Sequence, residues 1–139
     1  MAIWKALVVD DSPTLRQALV AMLERIPDLQ CVEAGDGAEG LQKLLADRVD
    51  LVVTDLQMPV MNGFALIHFL RNRADLRDLP IVVVTSAGTE ADRTKLEMAG
   101  VRAFLRKPIL ADQLTALALS LLEPRPAPIP ARPPAKGIS

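Results

Sequence analysis

The chain reads LVVTDLQMPVMNG from residue 51 to residue 63. Its first residues form a short apolar run rich in valine, which is typical of a strand buried on both faces. Asp55 follows this run directly, and Gly63 opens a segment in which apolar residues recur at helical spacing. The stretch therefore predicts a buried strand, an acidic residue at its carboxyl end and an amphipathic helix.

The same alternation of an apolar run and a helical pattern repeats on both sides of this stretch. The apolar runs lie at residues 6–9, 29–32, 51–53, 81–84 and 101–105. Ser12, followed by Pro13, marks one helix start, because serine caps helices well and proline suits the first helical position. Residues 89–99 form the weakest of the five helical patterns, since they contain few apolar residues. Five strands, each followed by a helix, predict a doubly wound α/β fold with a parallel sheet.

The composition changes at residue 123, where proline becomes frequent. Six prolines fall within residues 124–134, and proline at this density sustains neither a helix nor a central strand. We therefore expect one domain over residues 1–122 and an extended proline-rich tail over residues 123–139.

The overall composition is that of a globular protein, with half of the residues apolar and 24% charged. The formal net charge of −1 gives no reason to expect direct binding of nucleic acid. No apolar stretch approaches the ~20 residues needed to span a bilayer, so we expect no membrane insertion and a cytoplasmic location. Cys31 is the only cysteine, which excludes an internal disulfide, and its apolar surroundings predict a small buried side chain.

Polar residues follow four of the five predicted strands. Asp10 and Asp11 follow the first strand, Asp55 follows the third, Thr85 and Ser86 follow the fourth, and Lys107 follows the fifth. In doubly wound folds ligands bind at the carboxyl ends of the strands, so these side chains should gather there. Three carboxylates repel one another unless a hard dication lies among them, and oxygen ligands of this kind suit Mg²⁺.

At these positions the sequence resembles the receiver domain of response regulators, the phosphoacceptors of two-component signalling, and most of all the chemotaxis-type single-domain regulators. The resemblance covers residues 3–122 and implies a flavodoxin-like sheet of five strands in the order 2-1-3-4-5, with five helices. Its most specific feature is the spacing Asp-x-x-Met-Pro-x-x-x-Gly. The motifs that carry it are Asp10-Asp11, Thr54 to Gly63, Thr85-Ser86 and Phe104 to Pro108.

The resemblance also implies a role for each acidic residue. Asp55 would be the nucleophile that accepts a phosphoryl group from a sensor histidine kinase or a phosphotransfer protein. Asp11, Asp55 and the backbone carbonyl of Gln57 would bind Mg²⁺ directly, and Asp10 would act through a metal-bound water. The domain would assist its own phosphorylation and dephosphorylation and would not be an enzyme acting on other substrates.

Four further residues take roles from the same resemblance. Lys107 would hold one phosphoryl oxygen and Thr85 another, and Pro108 would follow a cis peptide bond. Thr85 and Phe104 would form a coupled switch that changes a surface recognised by a downstream protein. Residues 89–99 lie between these two positions in the chain, and their thin apolar face predicts that this helix is the mobile element.

Three alternatives stay open at this point. A phosphatase with an aspartate nucleophile would need a general acid two residues after Asp55, where the chain has Gln57. A degenerate receiver would serve as a docking module that needs no phosphorylation. The chain could also be either a stand-alone regulator or a receiver cut from a longer protein, and we favour the stand-alone form.

Overall fold

A computed structural model describes residues 4–86 and 88–122, which form a parallel sheet covered by helices on both faces. The five strands pair in the order β2-β1-β3-β4-β5, as the resemblance implies. The proline-rich tail predicted for residues 123–139 lies outside the described residues. The elements are β1 (Trp4–Val9), α1 (Pro13–Leu23), β2 (Leu29–Ala34), α2 (Gly37–Ala46), β3 (Leu51–Thr54), α3 (Gly63–Arg71), β4 (Ile81–Thr85), α4 (Glu90–Met98), β5 (Ala103–Arg106) and α5 (Ala111–Leu122).

The central strands are buried on both faces, which explains their continuous apolar sequences. Every residue of β3 and β4 is buried, as are the last four residues of β1. Alternate side chains of each strand enter different cores, because successive residues point to opposite faces of a sheet. One core lies under α1 and α5 and the other under α2, α3 and α4.

The helices begin where short polar side chains cap their free backbone N–H groups. The Ser12 side chain accepts a hydrogen bond from the backbone of Leu15, and Pro13 occupies the first turn of α1, as the sequence predicts. Asp36 and Asn62 cap α2 and α3 in the same way. These caps fix the points at which the loops leaving β1, β2 and β3 turn into helices.

The helix α4 has the smallest apolar contact with the sheet, which agrees with the sequence pattern. Leu96 is its only buried residue, whereas α3 buries four. A capping box between Thr89 and Asp92 stabilises its first turn. Contacts at its ends therefore hold α4 in place more than the packing of its apolar face against the sheet does.

The carboxyl end of α4 is fastened by Arg71 at the end of α3. The Arg71 guanidinium donates to the carbonyl oxygen of Ala99 at 2.7 Å and to that of Gly100 at 3.1 Å. It also donates to the Leu79 carbonyl at 3.0 Å, just before β4. One side chain thus satisfies carbonyls that the end of α4 leaves free.

Three details differ from the sequence prediction. The fifth strand begins at Ala103 and not at residue 101, because the backbone N–H of Val101 donates to Leu96 and still closes the end of α4. In the sequence Leu110 falls at helical spacing with Leu114 and Leu117, which predicts a place on the apolar face of the last helix, but it precedes α5 and is 69% exposed. Cys31 is half-buried and packs against the first core, where burial and the nearby Glu24 and Glu33 raise the pKa of its thiol to about 12.

Among the helices of the described residues, none has the length and apolar content that crossing a membrane requires.

We predict that Gly63→Ala destabilises the fold. A Cβ at this position would clash with the carbonyl oxygen of Asp55 and lie 2.9 Å from the Cα of Leu56, and both are backbone atoms of the buried turn after β3. The backbone must shift to admit it, so we expect urea unfolding to show a loss of ~1–3 kcal/mol in the free energy of unfolding.

Gly35→Ala is the matched control. A Cβ there would meet side-chain atoms no closer than 3.4 Å, which is ordinary contact. An equal loss of stability in both variants would show that the close approach at Gly63 does not constrain the fold.

Candidate functional site

Three carboxylates meet where β1 and β3 end. One carboxylate oxygen from each of Asp10, Asp11 and Asp55 lies within 4.8 Å of the others. Asp10 and Asp55 are 1% and 8% exposed, whereas Asp11 faces solvent. The two strands are adjacent in the sheet, and the backbone N–H of Asp55 donates to the Val9 carbonyl at 3.0 Å. The parallel pairing of β1 and β3 therefore brings together acids that lie 45 positions apart in the sequence.

Lys107 is the cation that hydrogen bonds connect to this acidic group. Its Nζ donates to Oδ2 of Asp10 at 3.0 Å and to Oδ2 of Asp55 at 3.1 Å. Its backbone N–H donates to the Thr85 carbonyl at 2.9 Å, and the peptide bond that joins it to Pro108 is cis, as expected. Burial lowers the pKa of Lys107, but the two carboxylates together raise it by more, so its pKa lies above the usual value. The side chain is therefore cationic at neutral pH.

The Asp55 carboxylate is held at both oxygens. Oδ1 accepts a hydrogen bond from the backbone N–H of Leu56 at 2.7 Å, and Oδ2 accepts from Lys107. The hydroxyl of Thr54 donates to the Asp55 carbonyl at 2.8 Å, which fixes the adjoining peptide. These contacts orient one buried carboxylate at the carboxyl end of β3.

The loop after Asp55 is shaped by close backbone contacts. Gln57, the residue expected to offer its carbonyl to a metal, lies at an exposed position two residues after Asp55. Val60 has a φ of +65°, and the backbone N–H of Met61 donates across it to Pro59 at 2.6 Å in a tight turn. The Met61 carbonyl in turn accepts from the N–H of Gly37 at 2.8 Å. The start of α2 therefore supports this loop.

Thr85 and Phe104 lie on the neighbouring strands β4 and β5, and β4 pairs with β3, the strand that Asp55 follows. Thr85 is buried at the end of β4, and Phe104 pairs with Val83 on β5. The Phe104 ring packs against the second core and beneath Gly88, where a Cβ would come within 2.7 Å of the ring. The guanidinium of Arg93 on α4 lies 5.4 Å from the ring centroid, within cation–π range. Phe104 thus touches both the β4–α4 loop and α4.

The donor set fits a hard dication such as Mg²⁺. Three carboxylates against one ammonium leave two negative charges in excess, and the ligands are all oxygens. The exposed Asp11 leaves the group open on one side, where water or a phosphoryl group can enter. The arrangement can therefore bind a metal and a phosphoryl group next to the Asp55 carboxylate.

Several contacts of the site escaped the sequence analysis. The N–H of Ser12 donates to Oδ1 of Asp10 at 2.9 Å, and Arg16 donates to the Asp10 carbonyl at 2.8 Å. The N–H of Leu56 is another such donor. Backbone N–H groups leave no signature in a sequence, and Arg16 looks like any polar residue on the exposed side of a helix.

Comparisons with known proteins agree with this geometry. The family model described as "Response regulator receiver domain" matches residues 6–119. The chemotaxis protein CheY1 of Helicobacter pylori is 35% identical over 105 residues, which cover 75% of this chain and 85% of CheY1. A solved receiver domain of a signal transduction histidine kinase from Syntrophus aciditrophicus superposes with a TM-score of 0.81 at 28% identity. That match covers 95% of this chain and 99% of the solved one.

Other relatives are much longer than this chain. The sensor histidine kinase TmoS of Ectopseudomonas mendocina is 35% identical over 118 residues, which cover 85% of this chain but only 12% of TmoS. Response regulator Rre1 of a Synechocystis strain is matched over half of its length. The similarity in each case includes most of this chain. The match to the family model spans both the acidic pair and Lys107. The chain therefore belongs to the response regulator receiver domain family of two-component signalling.

Proposed function

We propose that this chain accepts a phosphoryl group on Asp55 from a histidine kinase or a phosphotransfer protein in a Mg²⁺-dependent reaction. The observation that carries the proposal is the Asp55 carboxylate itself, which is buried, bonded to Lys107 and within 4.8 Å of two other carboxylates. Receiver domains generally use Mg²⁺ and pair with histidine kinases, and they are generally signalling modules without enzymatic activity of their own. The excess negative charge of this site suits a metal cation, and its open side suits the approach of a phosphoryl donor.

Asp55 is the nucleophile in this mechanism. One of its oxygens attacks the phosphorus, the new O–P bond forms, and the P–N bond to the donor histidine breaks with its electrons returning to the imidazole. The carboxylate needs no general base, because an aspartate is ordinarily ionised near neutral pH. Its hydrogen bond from Leu56 holds the group in one orientation, which favours a defined line of attack.

Asp10, Asp11, Asp55 and the backbone carbonyl of Gln57 would hold the metal, Asp10 through a bound water. When bound, Mg²⁺ supplies positive charge to the phosphoryl oxygens during transfer. The ammonium of Lys107, which donates to both Asp10 and Asp55, could move from these carboxylates to a phosphoryl oxygen. Thr85 would donate to another oxygen. These same residues would let the domain assist both its own phosphorylation and its own dephosphorylation.

We further propose that Thr85 and Phe104 carry the signal from the site to α4. If Thr85 moves toward the phosphoryl group, it vacates space beside the Phe104 ring, which can then turn inward. In the structure the Phe104 ring contacts Gly88 and Arg93, so an inward turn of the ring would change the position of the first turn of α4. Arg71 fastens the other end of the helix. The helix would therefore pivot rather than shift as a whole.

The output would be a contact with a downstream protein, made in the cytoplasm through the surface around Phe104 and its flanking helices. Docking without phosphorylation is not favoured by any contact in the site, since the acids, Thr85 and Lys107 are all present and lie together at one edge of the sheet. A phosphatase remains disfavoured, because the amide of Gln57 cannot protonate a leaving group.

Acetyl phosphate with Mg²⁺ should add one phosphoryl group to the protein, and Asp55→Asn should abolish the addition, because the amide is a poor nucleophile. Intact-mass spectrometry measures the gain. Asp78→Asn is the control, since this exposed residue precedes β4 at the opposite edge of the sheet and should leave labelling unchanged.

Labelling of Asp55→Asn at the wild-type level would exclude Asp55 as the acceptor. Labelling of the wild type that persists without divalent metal would contradict the proposed role of Mg²⁺.

Hydrogen exchange should be faster in α4 than in α1, because α4 buries a single residue against the sheet. After labelling with acetyl phosphate, we expect exchange in the first turn of α4 to change while that of α1 stays the same. Asp55→Asn treated with the same donor is the control.

Protection of α4 equal to that of α1, with no change on phosphorylation, would show that α4 is not the mobile element.

A further inference from the structure

The corner that carries Asp10 and Asp11 is held at four atoms of Asp10. Its N–H donates to the Ala34 carbonyl at 3.1 Å, and its two carboxylate oxygens accept from Ser12 and Lys107. The fourth atom is the carbonyl oxygen, which accepts from Nη1 of Arg16 at 2.8 Å. That oxygen belongs to the peptide unit joining Asp10 to Asp11, so Arg16 fixes the orientation of this peptide.

Arg16 is itself held from a second direction. Its Nε donates to Oε1 of Glu33 on β2 at 2.9 Å, and its side chain is only 18% exposed. The backbone N–H of Arg16 also donates to the Ser12 carbonyl at 2.8 Å, which closes the first turn of α1. The donors of a guanidinium lie in one rigid plane and so fix the relative directions of two acceptors, whereas the ammonium of a lysine rotates on a flexible stem. The side chain therefore braces the corner between β1 and β2.

The position of the Asp11 carboxylate depends on Arg16 more than the positions of the Asp10 and Asp55 carboxylates do. Asp10 and Asp55 have hydrogen bonds to both carboxylate oxygens, whereas the described hydrogen bonds include none to the side chain of Asp11, which is exposed. With no such contact on the carboxylate, the backbone from which the Asp11 side chain extends limits the positions that the carboxylate can reach. Rotation of the Asp10–Asp11 peptide would carry that carboxylate away from the other two.

We propose that Arg16 is a positioning residue, which orients the Asp10–Asp11 peptide so that the Asp11 carboxylate faces the metal site. This inference rests on the proposed function, in which Asp11 binds Mg²⁺. Residues that orient metal ligands without touching the metal commonly affect affinity by about 10- to 100-fold. Arg16 acts through a backbone carbonyl, so it needs no contact with the metal or the phosphoryl group.

Whether Mg²⁺ affinity falls or rises when Arg16 is replaced distinguishes a positioning role from a purely electrostatic effect of its charge. Removal of a positive charge near three carboxylates should by itself strengthen the binding of a dication. Loss of a brace should weaken it. Arg16→Gln removes both the positive charge and the planar set of guanidinium donors. Arg16→Lys keeps the charge and removes that set of donors.

The experiment measures Mg²⁺ affinity by isothermal titration calorimetry on the wild type, Arg16→Gln and Arg16→Lys. We expect Kd to rise about 10-fold in Arg16→Gln and to rise several-fold in Arg16→Lys. Arg25→Gln is the matched control, because it removes an exposed arginine just beyond the other end of α1 and should leave Kd unchanged. The amide signal of Asp11 in a ¹⁵N-correlated spectrum should shift in both Arg16 variants.

Labelling by acetyl phosphate supplies a second readout. The Mg²⁺ concentration for half-maximal labelling should rise in the Arg16 variants, while the rate at saturating Mg²⁺ stays near that of the wild type. A role confined to folding would instead lower the labelled fraction at every Mg²⁺ concentration. Urea unfolding identifies such a loss, and Arg16→Lys decides the test if Arg16→Gln does not fold.

Unchanged or tighter binding of Mg²⁺ by a folded Arg16→Gln, or unchanged binding by Arg16→Lys, would overturn the inference and leave the proposed function standing. A wild type that binds no Mg²⁺ would instead contradict the proposed function, and the inference would fail with it.

Discussion

Repulsion among three carboxylates, offset by one partly buried ammonium, is the constraint on which this structure depends. Asp10 and Asp55 both accept hydrogen bonds from Lys107, yet the group still carries an excess of two negative charges. Side chains free to rotate would spread apart to lower that repulsion. They stay together because Asp10 and Asp55 directly follow strands whose carboxyl-terminal halves are buried, and Asp11 is the next residue after Asp10. The two cores therefore supply the stability that keeps an unfavourable cluster of charge in place.

The same rigid sheet carries a weakly attached helix, and the contrast suits a signalling module. A single residue of α4, Leu96, is buried, and the helix is fixed at its carboxyl end by Arg71. Its other end lies near the Phe104 ring, which Arg93 covers. On the proposed mechanism, a change at the site would move α4 without disturbing the strands, since few contacts hold this helix.

The sequence predicted most of the fold because its signals are local. Five apolar runs, the Ser12 cap and the thin apolar face of α4 all depend on neighbouring residues, and all appear in the structure. The errors arose at the ends of elements. The chain at Val101 closes the end of α4 instead of starting β5, and Leu110 lies before α5 in an exposed connection. Periodicity alone cannot distinguish these cases, because it does not show where one hydrogen-bonded element ends.

By itself the sequence determined which chemistry gathers at the sheet edge, because parallel strands bring their carboxyl ends together wherever the acids lie in the chain. Asp10, Asp11, Asp55 and Lys107 could all be named from that rule and from the family resemblance. Only the tertiary structure decided how those groups are held. Lys107 bridges two carboxylates, and Arg16 reaches from a helix to a backbone carbonyl of the preceding loop. Such contacts depend on side-chain direction and on the packing of elements distant in sequence, and no local pattern encodes them.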